Sequence, residues 1–312
     1  MQGGSMKLKV FQKGFNYSQD GRGNRLVWHL QGCNMKCPWC ANPEGMAPEG
    51  VLMTDPEWLN DSCCPMGAVI KENPGEGKSP DPAGKWILDR SRCRDCRERP
   101  CIESMRQKGI RLSCAEMETS DMLAESMRCM PMFFDGGGVT LTGGEMSLRF
   151  EAVRELLEGL GKAGIHRCVE TNGSHPRSRE LFPLVDEWIM DLKHIDSAKH
   201  EAWLGIGNER IIDTLRAVTQ EHPDVLIRIP LMPGFNDSEE DAKAMAAFLA
   251  PLAGGERRAN VRVEVLTYHE FGKGKWAQCG MDYQMKGGRI EPERRAFLEE
   301  QLKNAGIQVV RT

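Results

Sequence analysis

The chain has 312 residues, 40% apolar and 28% charged, the balance of a globular protein rather than a disordered or fibrous one. A net charge of −4 and a pI near 6.0 offer no electrostatic pull toward nucleic acid or an anionic membrane, so neither is expected as a partner. No apolar run approaches the ~20 residues that span a bilayer, and Met1 to Val10 lacks the apolar core of a signal peptide, so a cytoplasmic location is expected. Met1 to Ser5 reads as a cloning remnant outside the fold. The chain holds 12 cysteines, which in a reducing cytosol point to metal binding or catalysis rather than disulfides. Cys129, Cys168 and Cys279 stand alone and read as small buried hydrophobes.

Taken in chain order, Arg25 to Gln31 reads as a short strand ending at Gly32. Residues 46–118 are rich in Pro, Gly, Cys and charge and lack apolar periodicity, which suggests an insertion not built on a hydrophobic core. From about residue 139 the pattern alternates. Val139–Thr142, Arg167–Thr171, Trp188–Leu192, Val225–Leu231 and Val261–Tyr268 read as strands, and Leu148–Leu160, Glu209–Thr219, Asp237–Leu252 and Glu291–Asn304 as helices. Strands alternating with helices predict βα units and a parallel sheet, with active residues at the carboxyl ends of the strands.

Gly32-Cys33-Asn34-Met35-Lys36-Cys37-Pro38-Trp39-Cys40 follows the first strand. Three thiolates on one loop can hold three irons of a cubane and leave the fourth iron without a protein ligand. An open coordination position is what a catalytic metal site needs. The alternative is a structural zinc loop with its fourth ligand elsewhere. Thr142-Gly143-Gly144-Glu145 closes another strand, where glycine lets a ligand approach the backbone and a carboxylate can accept from an ammonium. Glu170 and Asp191 sit at two further strand ends, and Lys193 follows as a basic partner for a ligand carboxylate or as a solvated charge.

The spacing C-x3-C-x2-C with Trp39 before the last cysteine, followed by Gly-Gly-Glu, resembles the radical S-adenosylmethionine (SAM) superfamily. The resemblance implies a [4Fe–4S] cluster on Cys33, Cys37 and Cys40, whose open iron is chelated by the amino and carboxylate groups of SAM. One electron from the reduced cluster then cleaves SAM to methionine and a 5′-deoxyadenosyl radical. Trp39, Gly143, Gly144 and Glu145 would line the cofactor, with Met146 where the family commonly has Pro. The likeness is greatest to glycyl-radical-enzyme activating enzymes of the pyruvate formate-lyase activase type. It runs through Asp20-Gly21-Arg22-Gly23-Asn24-Arg25, Asn42-Pro43, Gly136-Gly137-Gly138-Val139-Thr140, Asp191-Leu192-Lys193, Arg228 to Asp237 and Tyr268 to Lys273. It implies that Lys193 and His269 contact SAM and that Arg228 lies in the pocket. It also implies that Glu170 and Asp191 hold a monovalent cation beside the SAM carboxylate. Arg22 stands in place of the family's usual Pro, and Glu170 in place of its usual Asp.

The implied fold is α/β, a partial (β/α)6 barrel over 6–45 and 119–312 with an inserted cysteine-rich, ferredoxin-like domain over 46–118. The implied reaction abstracts hydrogen from the α-carbon of a glycine in a partner glycyl radical enzyme, with flavodoxin or ferredoxin as electron donor. Cys64-Pro65 resembles the end of a first ferredoxin motif, and Cys93-x2-Cys96-x4-Cys101 a second, with Met105 where its fourth cysteine would stand. In such modules the fourth cysteine of each motif ligates the other cluster. The losses therefore fall on one cluster and leave Cys64, Cys93, Cys96 and Cys101 for a single auxiliary [4Fe–4S] cluster. Cys63 or Cys114 could substitute for one ligand, and a zinc site is the alternative. Arg90, Arg92, Arg94, Arg97 and Arg99 read as a docking patch or a solvated charge run. Two other functions share parts of this pattern: a radical SAM enzyme acting on a small molecule or another peptide, and a non-catalytic ferredoxin-type electron carrier.

Overall fold

The computed structural model describes residues 5–72, 84–94, 96, 98–103, 109–253, 260–285 and 287–312. Strand β1 (Lys7–Tyr17) turns back into β2 (Asn24–Leu30), its antiparallel neighbour. After the cysteine loop the chain enters a lobe of short elements: β3 (Leu52–Thr54), β4 (Val69–Lys71), β5 (Trp86–Leu88), α1 (Arg90–Cys93), α2 (Pro100–Glu103) and β6 (Ile110–Leu112). β3 pairs with β6 and β4 with β5, both antiparallel. The lobe's own core is small, with Leu52, Leu59, Val69 and Ile110 packed beside Cys63, Cys64 and Cys101. The expected insertion ran to residue 118, but β7 (Ala115–Glu118) pairs antiparallel with β1 in the main sheet. Arg97 and Met105 lie outside the described residues.

The rest of the chain is α3 (Thr119–Arg128), β8 (Gly138–Gly143), α4 (Phe150–Lys162), β9 (Arg167–Thr171), β10 (Glu187–Asp191), α5 (Ser197–Leu204), α6 (Glu209–Glu221), β11 (Val225–Leu231), α7 (Glu239–Ala253), β12 (Val261–Thr267), α8 (Lys273–Gln278), α9 (Pro292–Asn304) and β13 (Gln308–Val310). The main sheet has nine strands in the order β13-β12-β11-β10-β9-β8-β2-β1-β7. From β2 to β13 every neighbouring pair is parallel, so the expected α/β core of six parallel strands is present, edged by β13 and by the antiparallel β1 and β7. The sheet curls. The Arg228 guanidinium on β11 donates to the Gln19 carbonyl in the β1–β2 turn, though β1 lies five positions away across the sheet.

Alternation along the strands divides two environments. Trp28, Leu141, Val169, Trp188, Ile227 and Val263 face outward into one apolar core shared with α4, α6, α7 and α9. Each such side chain stabilises the fold by about 1.5–3 kcal/mol on burial. Their strand neighbours Arg25, Thr140, Glu170, Asp191, Arg228 and Glu264 are polar and make their contacts on the concave side. α4 carries buried Phe150, Val153, Leu156, Leu157 and Leu160 at helical spacing. It starts two residues after the expected Leu148 because Met146–Arg149 winds as a 3-10 turn, capped by Glu145 accepting from the Ser147 N–H.

Candidate active site

The cysteine loop is held from every side by backbone. The Gly32 N–H donates to the Gly45 carbonyl (2.8 Å), Cys33 N–H to Met46 (2.9 Å) and Lys36 N–H to Leu204 (2.9 Å) at the end of α5. The Gly144 N–H donates to the Leu30 carbonyl (2.9 Å) and Glu145 N–H to Gly32 (2.7 Å), which stitches the Gly-Gly-Glu strand end to the start of the loop. Trp39 packs on Phe235 at 4.9 Å and Trp203 at 6.1 Å between ring centres. Burial pushes each of the Cys33, Cys37 and Cys40 thiols up to about 12. Two backbone N–H groups already donate to sulfur, Met35 to Cys33 and Asn42 to Cys40, both at 3.4 Å. Three partly buried thiolates cannot share such a site without cationic charge, which irons supply, so this donor set fits an iron–sulfur cluster.

Gly143 (φ +129°) must be glycine for both conformation and space, since a Cβ would lie 2.3 Å from the Leu30 nitrogen. Glu145 is buried and spends most of its acceptor capacity on the protein. Oε1 accepts from the Ser147 N–H (3.0 Å), the Ser147 hydroxyl (2.5 Å) and the Thr171 hydroxyl (2.6 Å), and Oε2 from the Asn172 N–H (2.7 Å). Its carboxylate therefore fixes the ends of β8 and β9 relative to each other.

Lys193 pairs with Asp191. Burial works against its charge, but the Asp191 carboxylate beside it holds its pKa above the ordinary lysine value. Arg228 is buried, donates to Glu170 (2.5 Å) and Glu264 (3.1 Å), and likewise keeps a raised pKa against burial because of those two carboxylates. The Thr142 hydroxyl donates to the other Glu170 oxygen (2.8 Å). Glu170 and Asp191, the expected cation ligands, each have a basic partner in the chain itself, Glu170 sharing Arg228 with Glu264 and Asp191 pairing with Lys193. His269 sits exposed at the rim, stacked on Phe271 at 4.4 Å, and no hydrogen bond joins it to the other site residues among those described.

Several residues that hold the site were not singled out from sequence. Asn172 Nδ2 donates to Asn34 Oδ1 (3.0 Å), Asn34 Nδ2 to the Ser174 hydroxyl (2.7 Å), and Trp276 Nε1 to the Cys40 carbonyl (2.8 Å). Asn172 lies just beyond the end of β9. Its place after Glu170 and Thr171 was the available signal.

In the lobe, Cys64, Cys93, Cys96 and Cys101 line one small cavity with apolar Leu52 and Met66. Burial raises the thiol pKa of both Cys93 and Cys101. Cys63 instead donates to the Trp58 carbonyl (3.5 Å), and Cys114 lies beside Gly50 and Ser113. Neither is in the cavity lining. Among the described residues, no three His, Cys, Asp or Glu side chains gather at the distance of a single metal ion.

Residues 105–246 match the Radical SAM superfamily family model. The (2S)-3-sulfopropanediol sulfolyase activating enzyme of Bilophila wadsworthia is 32% identical over 91% of this chain and 93% of its own. The isethionate sulfite-lyase activating enzyme of Desulfovibrio desulfuricans is 32% identical over 85% of this chain and 84% of its own. Among solved structures, Streptococcus suis SuiB bound to its precursor peptide SuiA shares the fold with a TM-score of 0.51, at 11% identity over 91% of this chain and 46% of that one. No helix among the described residues is long and apolar enough to cross a membrane.

Proposed function

The chain belongs to the glycyl-radical-enzyme activating enzymes of the radical SAM superfamily, and from that membership we propose which of its residues carry the activity. Cys33, Cys37 and Cys40 hold the catalytic [4Fe–4S] cluster. Bound there, the cluster supplies the electron that cleaves SAM and so the means to abstract hydrogen from a glycine of the partner enzyme. The chain's own part is positioning and exclusion of water.

Lys193, its charge secured by Asp191, receives the SAM carboxylate. The remaining acceptor capacity of Glu145, at the strand end that Gly143 and Gly144 press against β2 and the cysteine loop, receives its amino group. Trp39 closes the apolar side of the site against Phe235. Arg228 locks Glu170 and Glu264 across the concave face, and exposed His269 and Phe271 stand where a protein partner would approach. Cys64, Cys93, Cys96 and Cys101 hold one auxiliary [4Fe–4S] cluster, a reading supported by their shared cavity and by the separate positions of Cys63 and Cys114. The protein substrate is a glycyl radical enzyme, and flavodoxin or ferredoxin is the electron donor.

The observation that carries this reading is the cysteine loop bound to the Gly-Gly strand end, with a largely enclosed lysine near its sulfurs. The test is anaerobic incubation with SAM, a reductant and a glycyl radical enzyme, followed by electron paramagnetic resonance (EPR). A glycyl radical doublet supports it. Formation of 5′-deoxyadenosine without any protein radical would instead assign the same site to a different substrate.

A further inference from the structure

Arg90 opens α1, about one helical turn before Cys93, and its guanidinium reaches out of the lobe. Nη1 donates to the Leu52 carbonyl (2.8 Å), and Nη2 to the Gln278 carbonyl (3.0 Å) at the C-terminal end of α8. The Thr54 hydroxyl donates to that same carbonyl (3.3 Å). Among the described residues no carboxylate pairs with Arg90. A cation at a helix C-terminus is favoured by the helix dipole, and a guanidinium whose donors end on carbonyls is held directionally. Gly280 (φ +69°) leaves the space it fills, since a Cβ there would lie 1.9 Å from the Arg90 Nε.

The same short helix is gripped by the cysteine loop. Trp276 Nε1 donates to the Cys40 carbonyl (2.8 Å), Lys275 donates to Asn42 (2.8 Å) and pairs with Glu44 (2.6 Å). Gly272, just before α8, is so close that a Cβ would meet the Ala41 Cα at 2.7 Å. The lobe and the cysteine loop therefore hold one six-residue helix between them.

We propose that Arg90 is a positioning residue for the catalytic loop. It seats the cysteine-rich lobe on the end of α8, and α8 passes that position to Cys40 through Trp276. This rests on the assignment of Cys33, Cys37 and Cys40 as ligands of the catalytic cluster.

The test uses full-length protein reconstituted anaerobically with iron and sulfide, reduced with dithionite, and examined by EPR with and without SAM. Arg90→Ala is expected to keep the wild-type iron count while changing the SAM-bound spectrum and slowing 5′-deoxyadenosine formation about tenfold, the scale of one or two hydrogen bonds. Arg90→Lys, still able to reach one carbonyl, should recover part of the loss. Trp276→Phe, at the far end of the link, should give the same spectral change. The double variant should be no worse than the poorer single one, because both act through one connection. An unchanged spectrum and turnover in Arg90→Ala overturns the proposal, as do additive effects in the double variant. Loss of about four irons in Arg90→Ala also overturns it, since Arg90 would then be maintaining the lobe's own site. A wild-type spectrum insensitive to SAM removes the catalytic assignment and this proposal with it. About four irons in the wild type rather than about eight removes only the auxiliary cluster; the variants' changes in the catalytic signal then still decide the role of Arg90.

Discussion

Gly144 lies against Gly32 so closely that a Cβ at 144 would come within 2.1 Å of the Gly32 carbonyl oxygen. That oxygen already accepts from the Glu145 N–H at 2.7 Å, so it cannot retreat without breaking the link between strand end and loop. Gly144→Ala should therefore displace the cysteine loop and lower bound iron by about four per chain. Iron and sulfide counting on reconstituted protein checks this. A variant with full iron and normal SAM cleavage would show that the loop does not need this contact.

The two cysteine sets should separate on substitution. Cys37→Ala is expected to abolish SAM cleavage. Cys96→Ala is expected to remove about four irons from the lobe and leave cleavage measurable. Chromatographic assay of 5′-deoxyadenosine beside an iron count distinguishes them, and turnover by Cys37→Ala would contradict the ligand assignment.

Arg228 and Glu264 are buried, with side-chain exposures of 6% and 5%, and Glu170 completes the set at 22%. Removing the guanidinium leaves two carboxylates close together with no counter-charge. Arg228→Ala should destabilise the fold by about 3–5 kcal/mol. The Glu264 carboxylate also anchors the Thr312 N–H and hydroxyl, both at 2.8 Å, so the C-terminal strand should loosen as well. Chemical denaturation measures the loss, and a change under about 1 kcal/mol would mean that water substitutes for the guanidinium.

Asp186 gives the fold a pH-dependent contribution. Burial alone would raise its carboxyl, but the Arg167 side chain (2.9 Å) and N–H (2.8 Å) outweigh it and hold the pKa below the ordinary value. A carboxyl with a depressed folded pKa stabilises the fold above its unfolded pKa, about 3.9, and loses that effect as pH falls through the folded value. Asp186→Asn should thus be less stable at neutral pH, by no more than about 1 kcal/mol for a pair this exposed, and the gap to wild type should close below about pH 4. Urea titrations at both pH values check the sign; a gap that persists in acid would assign the effect to packing.

The parallel strands were legible because each is a run of β-branched or apolar residues stopped by a turn, as Val225–Leu231 is before Pro233-Gly234. The antiparallel edge was not. β1 has buried Leu8 and Val10, but its second half is mostly exposed, so no continuous alternation marks it. α5 escaped because its ends are specified by capping, Asp196 at the start and Gly205 (φ +85°) at the finish, while only His200 and Leu204 are buried. The loop cysteines were readable from local spacing. What holds them was not, because Trp276 reaches Cys40 across 236 positions and Asn172 reaches Asn34 across 138, and such contacts leave no local pattern.

Stability and chemistry occupy opposite faces of the same strands, one residue apart: Val169 is sealed in the outer core while Glu170 faces the concave side. Tolerance in a deep mutational scan should therefore flip between neighbouring positions at the carboxyl end of β9, where Val169 is buried and Glu170 only half-buried. Positions like Val169 would tolerate only other apolar side chains of similar volume, whatever the protein acts on. Half-buried Glu170 would be scored more by activity than by abundance, whereas the fully buried inward residues, Cys168, Ile189, Leu226 and Arg228, would register in both. A lining that can be rewritten while the scaffold stays fixed lets one architecture be refitted to new protein clients.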